Sequence, residues 1–198
     1  LLGIRRGHNP KGIGLFLWGY SKLYALRRDD HCLQRIEYLL DLLERARSKG
    51  YSGNCWGYNF DWQSRVFFRP KGTPTIVNTS FIGHALLDCH ALTGNQRALD
   101  LAIPTKDFVL HDLHRTVSDG TFCFSYTPVD TEVVHNANLL GASLLARLIR
   151  YCGDKELVPT LLASLRYSMS RQGVDGSWFY ADTDAQRWID SFHTGFNL

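Results

Sequence analysis

Paired or clustered cysteine is missing from this chain: Cys32, Cys55, Cys89, Cys123 and Cys152 are odd in number, scattered, and include no Cys-x-x-Cys pair. That excludes reading them as a disulfide framework or a zinc ribbon and favours a reducing, cytoplasmic setting. Long apolar runs are missing too, since none approaches the ~18 residues that a membrane-crossing helix needs, and no cleavable leader is read. Neither sign of charge dominates. Lys and Arg number 22 against 19 Asp and Glu, a net +3 without a basic run or a repeated basic face, so counterion-release binding to nucleic acid has little support. What is present is core material, 44% hydrophobic and 13% aromatic against 21% charged, which suits a folded chain without a disordered tail.

A short segment recurs. His8-Asn9 precedes Gly14, Val77-Asn78 precedes Gly83, His135-Asn136 precedes Gly141, and His193-Thr194 opens a fourth copy, at intervals of 69, 58 and 58 residues. Each full copy also closes alike, at Ser52-Gly53-Asn54-Cys55-Trp56-Gly57-Tyr58, Asp119-Gly120-Thr121-Phe122-Cys123-Phe124-Ser125-Tyr126 and Asp175-Gly176-Ser177-Trp178-Phe179-Tyr180. Such self-similarity means one supersecondary unit repeated.

Within a unit the pattern reads as two helices and an aromatic loop. The first helix, as in Asn136 to Cys152, is apolar or small on most sides and is expected to be buried. The second carries apolar residues at three-to-four spacing, Leu157, Leu161, Leu162 and Leu165 in one unit and Leu33, Ile36, Leu39, Leu40 and Leu43 in another, and reads as an amphipathic outer helix. Pro104 is expected to interrupt the outer helix of the second unit. Segments 51–77, 117–134 and 174–192 are too long to be mere links. The fold class is therefore all-α, an α/α-hairpin toroid, one domain over residues 1–198. Six hairpins need about 360 residues at about 60 per unit. This chain, beginning at Leu1 without Met, is expected to be a partial (α/α)6 barrel with about three and a half hairpins, a fragment of a longer ring, with either missing residues or self-association completing it.

Gln172-Gly173-Val174-Asp175-Gly176-Ser177-Trp178 resembles the glutamine–tryptophan signature of the terpene-cyclase and protein-prenyltransferase toroids. Their acid motif is missing, Asp182-Thr183-Asp184-Ala185 departing from it, and so is an Asp-x-Cys plus His zinc set, so terpenoid or prenyl chemistry does not carry over. Over nearly the whole chain, Gly57-Tyr58-Asn59-Phe60-Asp61-Trp62-Gln63, Lys71-Gly72-Thr73-Pro74, His135-Asn136-Ala137-Asn138-Leu139-Leu140-Gly141 and Asp190-Ser191-Phe192-His193-Thr194-Gly195-Phe196-Asn197-Leu198 look like a bacterial group of toroid proteins associated with surface-polysaccharide biosynthesis. That resemblance implies a carbohydrate or nucleotide-sugar-derived substrate.

If the first helix of each hairpin lines the ring, His8, His135 and His193 gather at one mouth, where helix N-termini suit an anionic group. Glu132 and Asp190 each stand three residues before a histidine, giving two equivalent carboxylate/imidazole pairs; Arg5 and Pro74 stand there in the first two units. Such pairs do acid/base chemistry near neutral pH. Two routes stay open: hydrolysis with Glu132 and Asp190, or Asp130 and Asp190, as the two carboxyls about 5–9.5 Å apart, or proton abstraction at a sugar carbon (epimerase or lyase type) with His135 or His193 as base and Tyr126 or Tyr180 as acid. A noncatalytic glycan- or protein-binding module is the alternative to either.

The binding candidates are Asp61, Trp62, Gln63, Asn136, Asn138, Tyr126 and His8, with Arg65 beside them; the aromatics stack on sugar faces and the polar groups meet hydroxyls. Asn9, Asn78 and Asn136 also read as helix caps, and Trp178 and Tyr180 as staples between units. No cofactor or metal is expected, because His8 lies two units from His135 and no tight His spacing exists. His84, His90, His111 and His114 fall at helical spacings and read as structural, and Cys55 and Cys123 as packing residues.

Overall fold

The computed structural model of this chain describes residues 7–64 and 66–198; Arg5 and Arg65, named above, lie outside them. Helix α1 (Pro10–Arg27) starts where the Asn9 side chain accepts from the Lys11 amide at 3.0 Å, with Pro10 in a first position that needs no donor. It stops at Arg28, whose φ of 56° turns its amide onto Tyr24 O. Helix α2 (Asp30–Arg45) is capped by Asp29 and buries Cys32, Ile36, Leu39, Leu40 and Leu43 along one stripe. Helix α3 (Ile76–Thr93) is apolar or small on nearly every side and ends at Gly94.

Pro104 interrupts the second outer helix. Helix α4 (Gln96–Ala102) gives way to a one-turn α5 (Thr105–Asp107) and a π turn over Phe108–Asp112. The third hairpin pairs α6 (His135–Cys152) with α7 (Leu157–Met169), and α8 (Ser191–Asn197) begins a fourth. The long connections hold two antiparallel ribbons. One pairs β1 (Trp62–Gln63) with β2 (Phe68–Arg69), and the other pairs β3 (Arg115–Ser118) with β4 (Thr121–Phe124) across Asp119-Gly120, whose φ values of 50° and 72° suit a tight hairpin.

The inner helices α1, α3 and α6 pack side by side in chain order, α8 lies against α6, and α2, α4 and α7 back them from outside. The chain is thus an arc of an α/α toroid. Repeat glycines set the spacing: a Cβ on Gly14 would meet Ile82 Cγ1 at 2.9 Å, on Gly83 Leu144 Cδ1 at 2.7 Å, and on Gly141 Ile76 Cδ1 at 2.3 Å. Between the layers lies one apolar cluster built on Leu17, Ile36, Leu40, Leu43, Ile82, Leu86 and Leu144, while Ile76, Phe108, Phe124, Val134 and Leu145 belong to a second.

The repeat tryptophans pin each closing loop to the outer helix of its own hairpin. Trp56 donates its indole N–H to Leu43 O and Trp178 to Ser168 O, both at 2.8 Å, and both rings are buried. Cys55 and Cys123 are buried, and burial pushes both thiols up, Cys55 to about 12; neither is a ready nucleophile. One expectation is corrected. Helix α1 is not enclosed like the other inner helices, because Phe16 and Leu26 on its open face are 66% and 83% exposed.

A Cβ at Gly57 would come within 2.2 Å of the Thr73 carbonyl oxygen, a backbone atom that cannot swing away, whereas Gly19 has nothing within 4 Å. Gly57→Ala should therefore cost ~3 kcal/mol by overpacking, and Gly19→Ala, within α1, should gain up to ~1 kcal/mol in helix propensity. Denaturant midpoints of the two variants against the parent chain check both signs.

Candidate functional site

First-turn residues of all four inner helices converge. Lys11 of α1, Val77 of α3, Asn136 of α6 and His193 of α8 line one small cavity of about 110 Å³, which Tyr58 and Tyr126 reach from the loops. A neighbouring cavity of about 220 Å³ shares His193 and is walled by Trp62, Phe67, Tyr180 and Trp188. His193 stands at the junction.

Asp190 fixes that histidine. Its Oδ1 accepts the His193 amide at 2.7 Å, capping α8, and its Oδ2 lies 2.6 Å from His193 Nδ1 and 3.1 Å from Trp188 Nε1. The backbone N–H of His193 is the main reason the Asp190 carboxyl sits below its ordinary range, with the imidazole adding to it. A carboxylate only accepts, so Nδ1 carries the hydrogen and Nε2 is the nitrogen left for a ligand. Tyr180 meets the His193 ring edge-on at 4.5 Å and stacks on Trp188 at 4.5 Å.

The equivalent histidine is used differently. His135 is fully buried; it pairs not with Glu132 but with Asp182, Nε2 to Oδ1 at 3.0 Å, and its Nδ1 lies 3.3 Å from Ser168 Oγ. Tyr167 donates to the other Asp182 oxygen at 2.8 Å. The His135 hydrogen bond is the first cause holding Asp182 down to about 2, with burial opposing it. Asn138 joins the same buried network: it donates to Ser164 O and Ser168 Oγ and accepts from the Phe124 amide and the Ser164 hydroxyl, all within 2.8–2.9 Å. Both side chains are closed to a ligand in this arrangement.

Glu132 is half-buried, and burial followed by the charge of Asp130 raises its carboxyl above the ordinary range. Its own charge is among the influences on Tyr180, whose phenol burial pushes to about 12. Tyr126 is raised well above its usual value, again chiefly by burial, and Tyr58 is raised. These phenols keep their protons at neutral pH and can donate hydrogen bonds. Asp130 is committed elsewhere, to Arg69 at 2.8 Å, the Thr127 hydroxyl, and the amides of Tyr126 and Glu132.

The binding candidates divide likewise. Trp62 walls the aromatic cavity in ring contact with Tyr58, Phe67 and Tyr126, and Asn136 and Tyr126 line the smaller one. Asp61 instead accepts the Lys71 amide at 2.7 Å, and Gln63 donates to Ser64 O and Phe67 O, so both hold the ribbon that presents Trp62. His8 is exposed just before the α1 cap and makes no hydrogen bond among the described residues. The caps are corrected in part: Asn9 caps α1, but Thr75 rather than Asn78 caps α3, and α6 has no side-chain cap.

Lys11, Trp188 and Asp182 were missed from the sequence. Lys11 stands three residues beyond the His position, one helical turn onto the same face, and that offset was the available signal. Asp182 reaches His135 through the bridge between Val134 and Ala181, a long-range pairing that no local pattern announces. Among the described residues no group of three or more His, Cys, Asp or Glu could hold a metal ion, and no helix is long and apolar enough to cross a membrane.

No protein-family model and no curated protein sequence matches this chain. Solved structures do. A glycosyl hydrolase family 88 protein from Bacteroides vulgatus superposes with a TM-score of 0.71 at 9% identity, over 96% of this chain and 60% of that one. A D-mannose isomerase gives 0.70 at 16% identity, over 92% and 49%. Cellobiose 2-epimerase from Bacillus thermoamylovorans gives 0.68 at 11% identity, over 92% and 50%. The likeness is one of fold, and the chain spans about half to three-fifths of their length.

Asp182 carries a testable consequence. Its folded-state pKa is depressed, so its contribution to stability is present above the ordinary carboxylate pKa of 3.8 and is lost as pH falls toward about 2. Asp182→Asn should destabilise the chain by ~1–3 kcal/mol at neutral pH, leaving His135 and Tyr167 poorly paired. It should also flatten the loss of stability between pH 4 and pH 2. Thermal melts of both proteins across that range check the two effects.

Proposed function

We propose that this chain carries acid/base chemistry on a sugar, moving a proton at a carbon beside a carbonyl, as an epimerase, isomerase or lyase does. The observation that carries the reading is His193: its Nδ1 is held by Asp190 at 2.6 Å, and its ring stands where two cavities meet. With the hydrogen on Nδ1, Nε2 holds a lone pair and acts as the base. Glu132, its carboxyl raised by burial, and Tyr180, its phenol protonated, are the candidate acids. Trp62 and Trp188 wall the sugar's face.

Hydrolysis by two carboxyls is the weaker reading. It needs a second carboxylate free to receive a water or attack the anomeric carbon, and Asp190 and Asp130 are both engaged. The fold resemblance to sugar epimerase, isomerase and hydrolase structures supports a carbohydrate substrate. The resemblance to surface-polysaccharide proteins supports a biosynthetic setting and a bacterial source.

The test is hydrogen exchange. Reducing and oxidised hexoses incubated with the protein in D2O should gain deuterium at one carbon by NMR. His193→Gln should slow that exchange by ~10²-fold or more, and Asp190→Asn, which leaves the ring less firmly oriented, by ~10–100-fold. Glycosidic cleavage without deuterium entry would overturn the proposal in favour of hydrolysis. Sugar binding with neither would make the chain a binding module.

A further inference from the structure

Lys11 raises a question that proton transfer does not answer. Its side chain is half-buried in the smaller cavity, and among the described residues no carboxylate stands within ion-pair distance of it. Its ammonium rests only over the Phe81 ring, 4.1 Å from the centroid. Burial lowers its pKa, so holding the charge there carries a cost that no carboxylate among the described residues offsets. Two acidic groups of the site are committed to other cations or rings: Asp130 to Arg69 and Asp190 to His193.

A second orphan lines the same cavity. Asn136 is 9% exposed, and its Oδ1 is buried without a hydrogen-bond partner. Buried carbonyl oxygens are nearly always satisfied, so a missing donor is expected there. Asn136 is also the second residue of α6, a helix of 18 residues with no side-chain cap, whose positive end therefore lies beside the same cavity. An acceptor seeking a hydroxyl and a cation seeking an anion, side by side with a proposed base, describe a ligand that carries both groups.

We infer that the sugar acted on at this mouth is anionic, its negative group seated against Lys11 Nζ and one of its hydroxyls donating to Asn136 Oδ1. This rests on the sugar reading above and narrows its substrate class to hexoses bearing a carboxylate or a phosphate ester. Because Lys11 and His193 line one cavity, the anion anchors the ring while His193 addresses a carbon. The aromatic cavity takes the uncharged face.

Titration calorimetry with four probes tests it: glucuronate, glucose 1-phosphate, glucose and inorganic phosphate. At least one anionic sugar should bind tenfold or more tighter than glucose, and which one it is separates carboxylate from phosphate ester. Lys11→Gln should bring that sugar to the level of glucose, and Lys11→Arg should keep the preference. Asn136→Ala should weaken the sugars and leave inorganic phosphate unchanged. Glucose bound as tightly as both anionic sugars, or a preference surviving Lys11→Gln, would overturn the inference while leaving the sugar reading intact. Inorganic phosphate bound as tightly as the sugars would overturn the hydroxyl half, and no binding of any sugar would overturn inference and sugar reading together.

Discussion

Close contact between successive inner helices is the constraint on which the rest of the structure depends. Gly14, Gly83 and Gly141 remove the side chains that would hold these helices apart, and Ile82, Leu144 and Ile76 fill the space at each junction. Dense packing makes that spacing stiff, since interiors tolerate little change in volume. Stiff spacing has a chemical result. It delivers Lys11, Asn136 and His193, which are far apart in sequence, to one cavity, and rigid elements hold a site more accurately than free loops do.

The two histidines at equivalent repeat positions show how one unit serves two ends. His135 is covered by α7 with Ser168 and Tyr167, and the following loop brings Asp182 over the top. It has become part of the wall. His193 pairs with a local carboxylate, the Asp190 that caps its own helix, and its side chain is 27% exposed. The partners each imidazole meets, not residue identity, separate the two: a buried network around His135 and a helix-capping carboxylate beside His193.

The same distinction explains what the sequence made legible. Hairpin order, the inner and outer faces and the Pro104 interruption rest on periodicity, breakers and repetition, which are local or self-announcing. The pairing of Asp190 with His193 is a three-residue step into a helix, so it too could be seen. Glu132 stands in the same step before His135 yet does not pair with it, because the bridge between Val134 and Ala181 brings a nearer carboxylate, Asp182. The ribbons were not legible, as β1 and β2 are only two residues each, and neither were the Asp61 and Gln63 bonds that shape them. Side chains chosen as sugar contacts turned out to hold the loop that aims Trp62.

Counting which polar groups are already satisfied then discriminates among chemistries better than counting which are present. Asp130, Glu132 and Asp190 are enough in kind for a two-carboxyl glycosidase. Asp130 is tied to Arg69 and to two backbone amides, however, and Asp190 is tied to a helix end, an indole and an imidazole. A carboxylate so engaged is held in place, which suits orienting a neighbour and opposes swinging in as nucleophile or base. Burial raises the carboxyl of Glu132. One protonatable acid, one oriented imidazole, one cation without a counter-ion and one carbonyl without a donor form a set suited to moving protons on an anchored, charged sugar.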